Sequence, residues 1–82
     1  MQSVSLPKYQ PVIVSWRDSA YKAGWQLAQA PEPPELIEAI GYVIETEGDN
    51  LVITQALGED CHRMLNALVI PWVAVESIEG VL

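Results

Sequence analysis

The sequence predicts an all-β fold: one small antiparallel sheet of four or five strands, closed into a barrel, with at most one short helix. Three observations carry that prediction. The longest apolar run, residues 66–78, is broken in its middle by Pro71. Proline has no N–H to give a central ladder, so the run reads as two strands meeting at a sharp corner. Two β-rich runs, 36–47 and 51–57, are joined by Gly48-Asp49-Asn50, which reads as a hairpin. A third run, Val12-Ile13-Val14-Ser15-Trp16-Arg17, is rich in β-branched residues and opens on Pro11, a residue tolerated at a strand's first position. Strands in succession with short links make an antiparallel sheet, and a sheet this small buries its edges by closing.

Taken in order, residues 1–10 are polar, contain Pro7 and read as an arm, loose unless it pairs with a neighbour. Residues 11–82 form the single barrel domain. The first strand, 11–17, places Val12, Val14 and Trp16 on one face and Ile13, Ser15 and Arg17 on the other. Asp18-Ser19 ends it, and either residue can cap a helix. Residues 20–30 leave two readings open. Ala, Gln, Leu and Lys favour a short helix near 25–30, while Gly24 interrupts it and favours an ordered loop with Tyr21 and Trp25 packed down. Pro31-Glu32-Pro33-Pro34 is a stiff, extended spacer. The run 36–47 is long for one strand, so Gly41 marks a bend or bulge. Residues 58–66 are polar and read as a loop with no more than one helical turn. Strands at 67–70 and 73–78 flank the corner at Pro71-Trp72.

Composition bounds the function. Eighty-two residues make one domain that buries only about 60–65% of the surface of its unfolded chain. Half of the residues are apolar, rich for a monomer of this size, so a homo-oligomer is expected. Four Lys or Arg stand against eleven Asp or Glu, for a net charge of −7. The cations (Lys8, Arg17, Lys22, Arg63) form no run, which excludes a broad nucleic-acid surface on one subunit, although a ring of subunits would concentrate one Arg from each around a pore. Cys61 is the only cysteine; no internal disulfide is possible, in keeping with a reducing cytoplasm. The first seven residues lack the basic start and apolar core of a signal peptide. No apolar run reaches the roughly 20 residues of a membrane helix, so a cytoplasmic location away from membranes is expected.

Few residue groups carry chemistry. Asp60-Cys61-His62 puts carboxylate, thiol and imidazole side by side, but neighbours on a chain point apart, and a zinc site needs three or four ligands. An exposed loop with a free thiol is the plainer reading. Ser19, Asp18 and His62 are the residue types of a hydrolase triad, yet no G-x-S-x-G elbow surrounds the serine. The acidic residues from Glu32 to Asp49 lack Ca²⁺-loop spacing, and the five glycines form no phosphate loop. No catalytic residue, metal or cofactor is therefore assigned. A ligand site is sought first at Trp16, Arg17 and Asp18, with Trp25 and Tyr42 as neighbours. Arg17 can grip an anionic ligand in two-pronged fashion and the indoles offer stacking faces. The plainer alternative packs Trp16 in the core and pairs Arg17 with a carboxylate. Trp72, Val73 and Val75, at the corner, are the interface candidates, with core packing of Trp72 equally open.

Two resemblances add to this. The order of pieces, a long bent hairpin over 38–57 and a strand–turn–strand over 68–78, resembles the SH3-like small barrels, including the Sm-like group. It implies a small closed barrel of four or five strands, although the basic and aromatic loop residues of Sm-type RNA binding are missing. The set Trp16-Arg17-Asp18-Ser19, Gly24-Trp25, Gly41-Tyr42-Val43, Gln55-Ala56-Leu57, Ile70-Pro71 and Ser77-Ile78 resembles small uncharacterised proteins of phages and prophage regions, which implies a bacterial or phage setting and no particular chemistry.

The functional expectation is a non-catalytic binding or assembly module, working as a homo-oligomer that adds strands at the exposed edges of the last strand and the arm. Its alternative is a phage-type regulatory protein that binds a small ligand or nucleotide through Arg17 and the nearby aromatics.

Overall fold

The computed structural model describes residues 1–18 and 34–81. Five strands, β1 (Pro11–Asp18), β2 (Glu35–Glu45), β3 (Asn50–Leu57), β4 (Met64–Pro71) and β5 (Val75–Gly80), form one sheet in the order β4-β3-β2-β1-β5. All four pairings are antiparallel. A single 3₁₀ turn, Trp72–Ala74, lies between β4 and β5. The helix considered at residues 25–30 lies outside the described residues.

The all-β fold follows from alternation. Val12, Val14 and Trp16 are buried while their neighbours along β1 are not. They meet Val43 of β2, Leu51 and Ile53 of β3, Ile70 of β4, Trp72 and Val75 in one apolar core. Each strand contributes the side chains of one face only, so the sheet wraps around its own concave side. Its curl follows from connectivity. β4 and β5 are the outermost strands, yet Pro71 and Val75 are four positions apart, a reach of at most about 14 Å. Five flat strands would hold their outer members about 19 Å apart. Trp72 fills the hub that results: it is 3% exposed, its indole Nε1 donates to the Thr46 carbonyl at 3.0 Å, and its amide donates to the Asp49 carbonyl at 2.9 Å. The curl stops short of pairing β4 with β5, so the described ladder is open at both ends.

Gly41 does what the long run needed. A Cβ there would stand 2.9 Å from the Thr54 carbonyl oxygen and 3.1 Å from Ile53, so only glycine lets β2 pass this close to β3. On its N-terminal side β2 pairs with β1 alone; from Tyr42 onward it also pairs with β3, through a bulge at Ile44. The hairpin turn has Gly48 at φ +81°, and the Glu45 carboxylate accepts from the amides of Thr46 and Glu47 at 3.0 and 2.9 Å.

Three elements differ from expectation. The last strand runs over Val75–Gly80 and not 73–78, because Trp72–Ala74 is taken up by the 3₁₀ turn. The polar stretch after Gly58 is a shorter loop than expected, closed by Gly58 N–H to the Arg63 carbonyl at 2.8 Å, so that β4 starts at Met64 and makes a second hairpin with β3. The arm bonds to its own chain. Tyr9 donates to Val43 at 2.6 Å, Val43 donates to Gln10 at 2.9 Å, and the Met1 amine donates to the carbonyls of Trp72 and Val75 at 2.8 and 3.0 Å.

Candidate functional site

The structure does not gather the anion-binding candidates. Trp16 is a core residue, 9% exposed. Arg17 and Asp18 lie at the exposed end of β1. The Arg17 guanidinium sits 3.7 Å from Glu76, both side chains half exposed, and reaches the Pro34 carbonyl at 3.4 Å. Such an exposed pair contributes at most about 1 kcal/mol. Tyr42 shares the outer face with Arg17, but it stands opposite Pro11 at the other end of β1, about 20 Å away along the strand. Trp25, Ser19 and Tyr21 lie outside the described residues. No buried side-chain polar atom among the described residues lacks a hydrogen-bond partner, so none is held in reserve for a ligand.

The reactive-looking loop is built as a turn. Cys61 adopts φ +61°, its amide donates to the Gly58 carbonyl at 2.9 Å, and the Asp60 carboxylate accepts from the His62 amide at 3.0 Å. Asp60 therefore caps the backbone, not the imidazole. Among the described residues no three His, Cys, Asp or Glu side chains come together as a metal group.

Of the three interface candidates, Trp72 and Val75 are core residues and only Val73 stands in solvent, 89% exposed. Further exposed apolar side chains stand on the arm and on β2, Ile40 at 66%, and the longest uninterrupted set lies on β4. Met64, Leu65, Leu68 and Val69 are all substantially exposed, Leu65 and Val69 at 57% each. Seven of the eight residues of β4 are exposed, Ile70 excepted, and none carries a charge.

Backbone phase defines what this edge offers. Trp72 bonded to Asp49 continues the β3–β4 register of Leu51 with Ile70 and Ile53 with Leu68. In an antiparallel ladder bonded pairs alternate with unbonded ones. Leu68 and Ile70 therefore turn their N–H and C=O groups toward β3, and Ala67 and Val69 turn theirs outward. Asn66, at φ +57°, is skipped in the pairing, which resumes in the same register at Leu65 and Met64. There the buried Thr54 hydroxyl donates to the Leu65 carbonyl at 2.7 Å, and the Asn66 amide donates to Gln55 Oε1 at 2.7 Å. On the opposite edge, Val81 bonded to Pro11 sets Ile78 and Gly80 outward by the same rule.

The sequence places assembly on the last strand, the arm and the Pro71 corner and assigns no interface role to the strand at 67–70. The signal that marks β4 was present: a strand with one buried face alternates with polar residues, and Met64-Leu65-Asn66-Ala67-Leu68-Val69-Ile70-Pro71 has only Asn66. No family model, curated protein or solved structure matches the chain. Among the described residues no helix is long and apolar enough to cross a membrane.

Proposed function

We propose that this chain is a non-catalytic assembly module that works as a homo-oligomer. One observation carries the reading: among the described residues β4 is an outermost strand with no strand paired to its outer edge, apolar side chains exposed on both faces and no charge along its length. Natural sheets blunt such edges with charge, proline, bulges or a covering segment, because a bare edge recruits another strand. Here Pro71 guards only the last position. Five antiparallel strands with one helical turn before the last support reading the domain as an SH3-like or Sm-like small barrel. The single cysteine and the phage-type resemblance support a bacterial or phage-infected cytoplasm as its setting.

Light scattering across a concentration series tests the proposal. The native chain is expected to exceed its 9.0 kDa monomer mass at micromolar concentration. Val69→Lys, which adds a charge to a solvent-facing position, is expected to return it to monomer with stability unchanged within about 0.5 kcal/mol. A native chain that stays monomeric at high micromolar concentration contradicts the reading.

A further inference from the structure

Resting on the assembly reading above, we infer that the occupant of the β4 edge is the β4 of a second copy, paired antiparallel about a two-fold axis through Leu68. Backbone phase selects that register. Ala67 and Val69 present their N–H and C=O groups outward. With the axis at Leu68, Ala67 faces the partner's Val69 and Val69 faces the partner's Ala67, so all four outward N–H groups find carbonyls. An axis at Ala67 sets Val69 against Leu65, whose carbonyl already accepts from the Thr54 hydroxyl of its own chain. An axis at Val69 sets Ala67 against Pro71, which has no N–H to donate.

Charge points to the same arrangement. Copies with a net charge of −7 repel over most of their surfaces, and β4 is a strip on which no like charges meet. Antiparallel pairing brings Arg63, just before β4, to the end of the partner's β4. The turn carrying Glu47 and Asp49 sits there, held by the bond between Trp72 and Asp49. Each Arg63 thus approaches two carboxylates of the other copy, and the two-fold repeats the contact. On the concave side Leu68 meets the partner's Leu68; on the convex side Val69 covers the partner's Ala67. The β5 edge is a poorer partner for β4. Glu76 forms a bulge there, Glu79 flanks the outward groups, and the Met1 amine occupies the Val75 carbonyl. One short ladder buries less than a standard interface of about 1,600 Å², so the dimer is reversible.

Self-cross-linking tests the register. Leu68 bonds inward to β3, so across the axis it forms an unbonded pair with Cα atoms about 4.5 Å apart, within the span of a disulfide. In a Cys61→Ser background, Leu68→Cys is expected to give a covalent dimer of twice 9.0 kDa under mild oxidation, and Ile78→Cys is expected to stay monomeric under the same denaturing readout. Arg63→Asp is expected to weaken dimerisation roughly tenfold, as two exposed ion pairs become repulsive, and Asp49→Arg in the same chain is expected to recover it. A native oligomer larger than two copies, or one that Leu68→Cys fails to trap, overturns this register and leaves the assembly reading standing. A native chain that remains monomeric overturns both.

Discussion

β4 and β5 are the two outer strands of one sheet, joined through three residues, yet their sequences treat exposure in opposite ways. β5 places Glu76 and Glu79 beside its free edge, kinks at Glu76 and has its first carbonyl covered by the Met1 amine. β4 carries no charge, and Leu65 and Val69 are each 57% exposed. The same backbone hazard is thus suppressed on one side and left open on the other. An isolated monomer gains nothing from that asymmetry, whereas a chain with one adhesive edge can form a closed pair instead of an open filament.

The largest expected effect is at the hub that couples the two edges. Trp72→Ala removes a buried indole and its bond to Thr46 and is expected to cost about 3–5 kcal/mol, read as a lower denaturation midpoint. Thr54→Val is next. It removes the hydroxyl that ties β3 to the Leu65 carbonyl and is expected to cost about 1–2 kcal/mol, with exchange of the amides near Leu65 rising more than that of β5. Glu79→Val tests whether charge silences the second edge: stability is expected to stay within about 0.5 kcal/mol while the scattering mass rises beyond the native value. The smallest effect concerns the hairpin turn between β2 and β3. Hydrogen bonds from Glu47 and Thr46, with help from Lys8, hold the Glu45 carboxyl below its usual 4.5. Its support of the fold is therefore complete above pH 4.5 and is lost as pH falls through the lowered value. Glu45→Gln is expected to reduce the steepness of acid unfolding and to leave neutral-pH assembly unchanged.

The sheet was legible in the sequence because its signals are local. Gly48 supplies the positive φ of the turn, β1 alternates with period two, and Pro71 ends β4 where the chain turns the corner. Gly41 was legible as an irregularity, though its reason, the Thr54 carbonyl 2.9 Å from where a Cβ would stand, is a tertiary contact. The start of β4 was obscured because Asn66 reads as a loop residue; its left-handed backbone is accommodated inside the strand pairing. The edges were the least legible part. An apolar run such as 67–70 looks the same whether it is buried between two strands or stands outermost, and only strand order tells these apart. Trp72 shows the converse: beside a proline corner it suits an interface, but the curl between β4 and β5 draws it into the core.

The central claim is that β4, and not β5, is the edge that receives a partner. Residue-resolved amide exchange of the native chain, followed from low to high micromolar concentration, tests it most directly. The account predicts that the outward amides of Ala67 and Val69 exchange quickly when dilute and become protected as concentration rises, while those of Ile78 and Gly80 stay fast throughout. Protection that grows at Ile78 and Gly80 instead, or Ala67 and Val69 amides whose exchange ignores concentration, would contradict it.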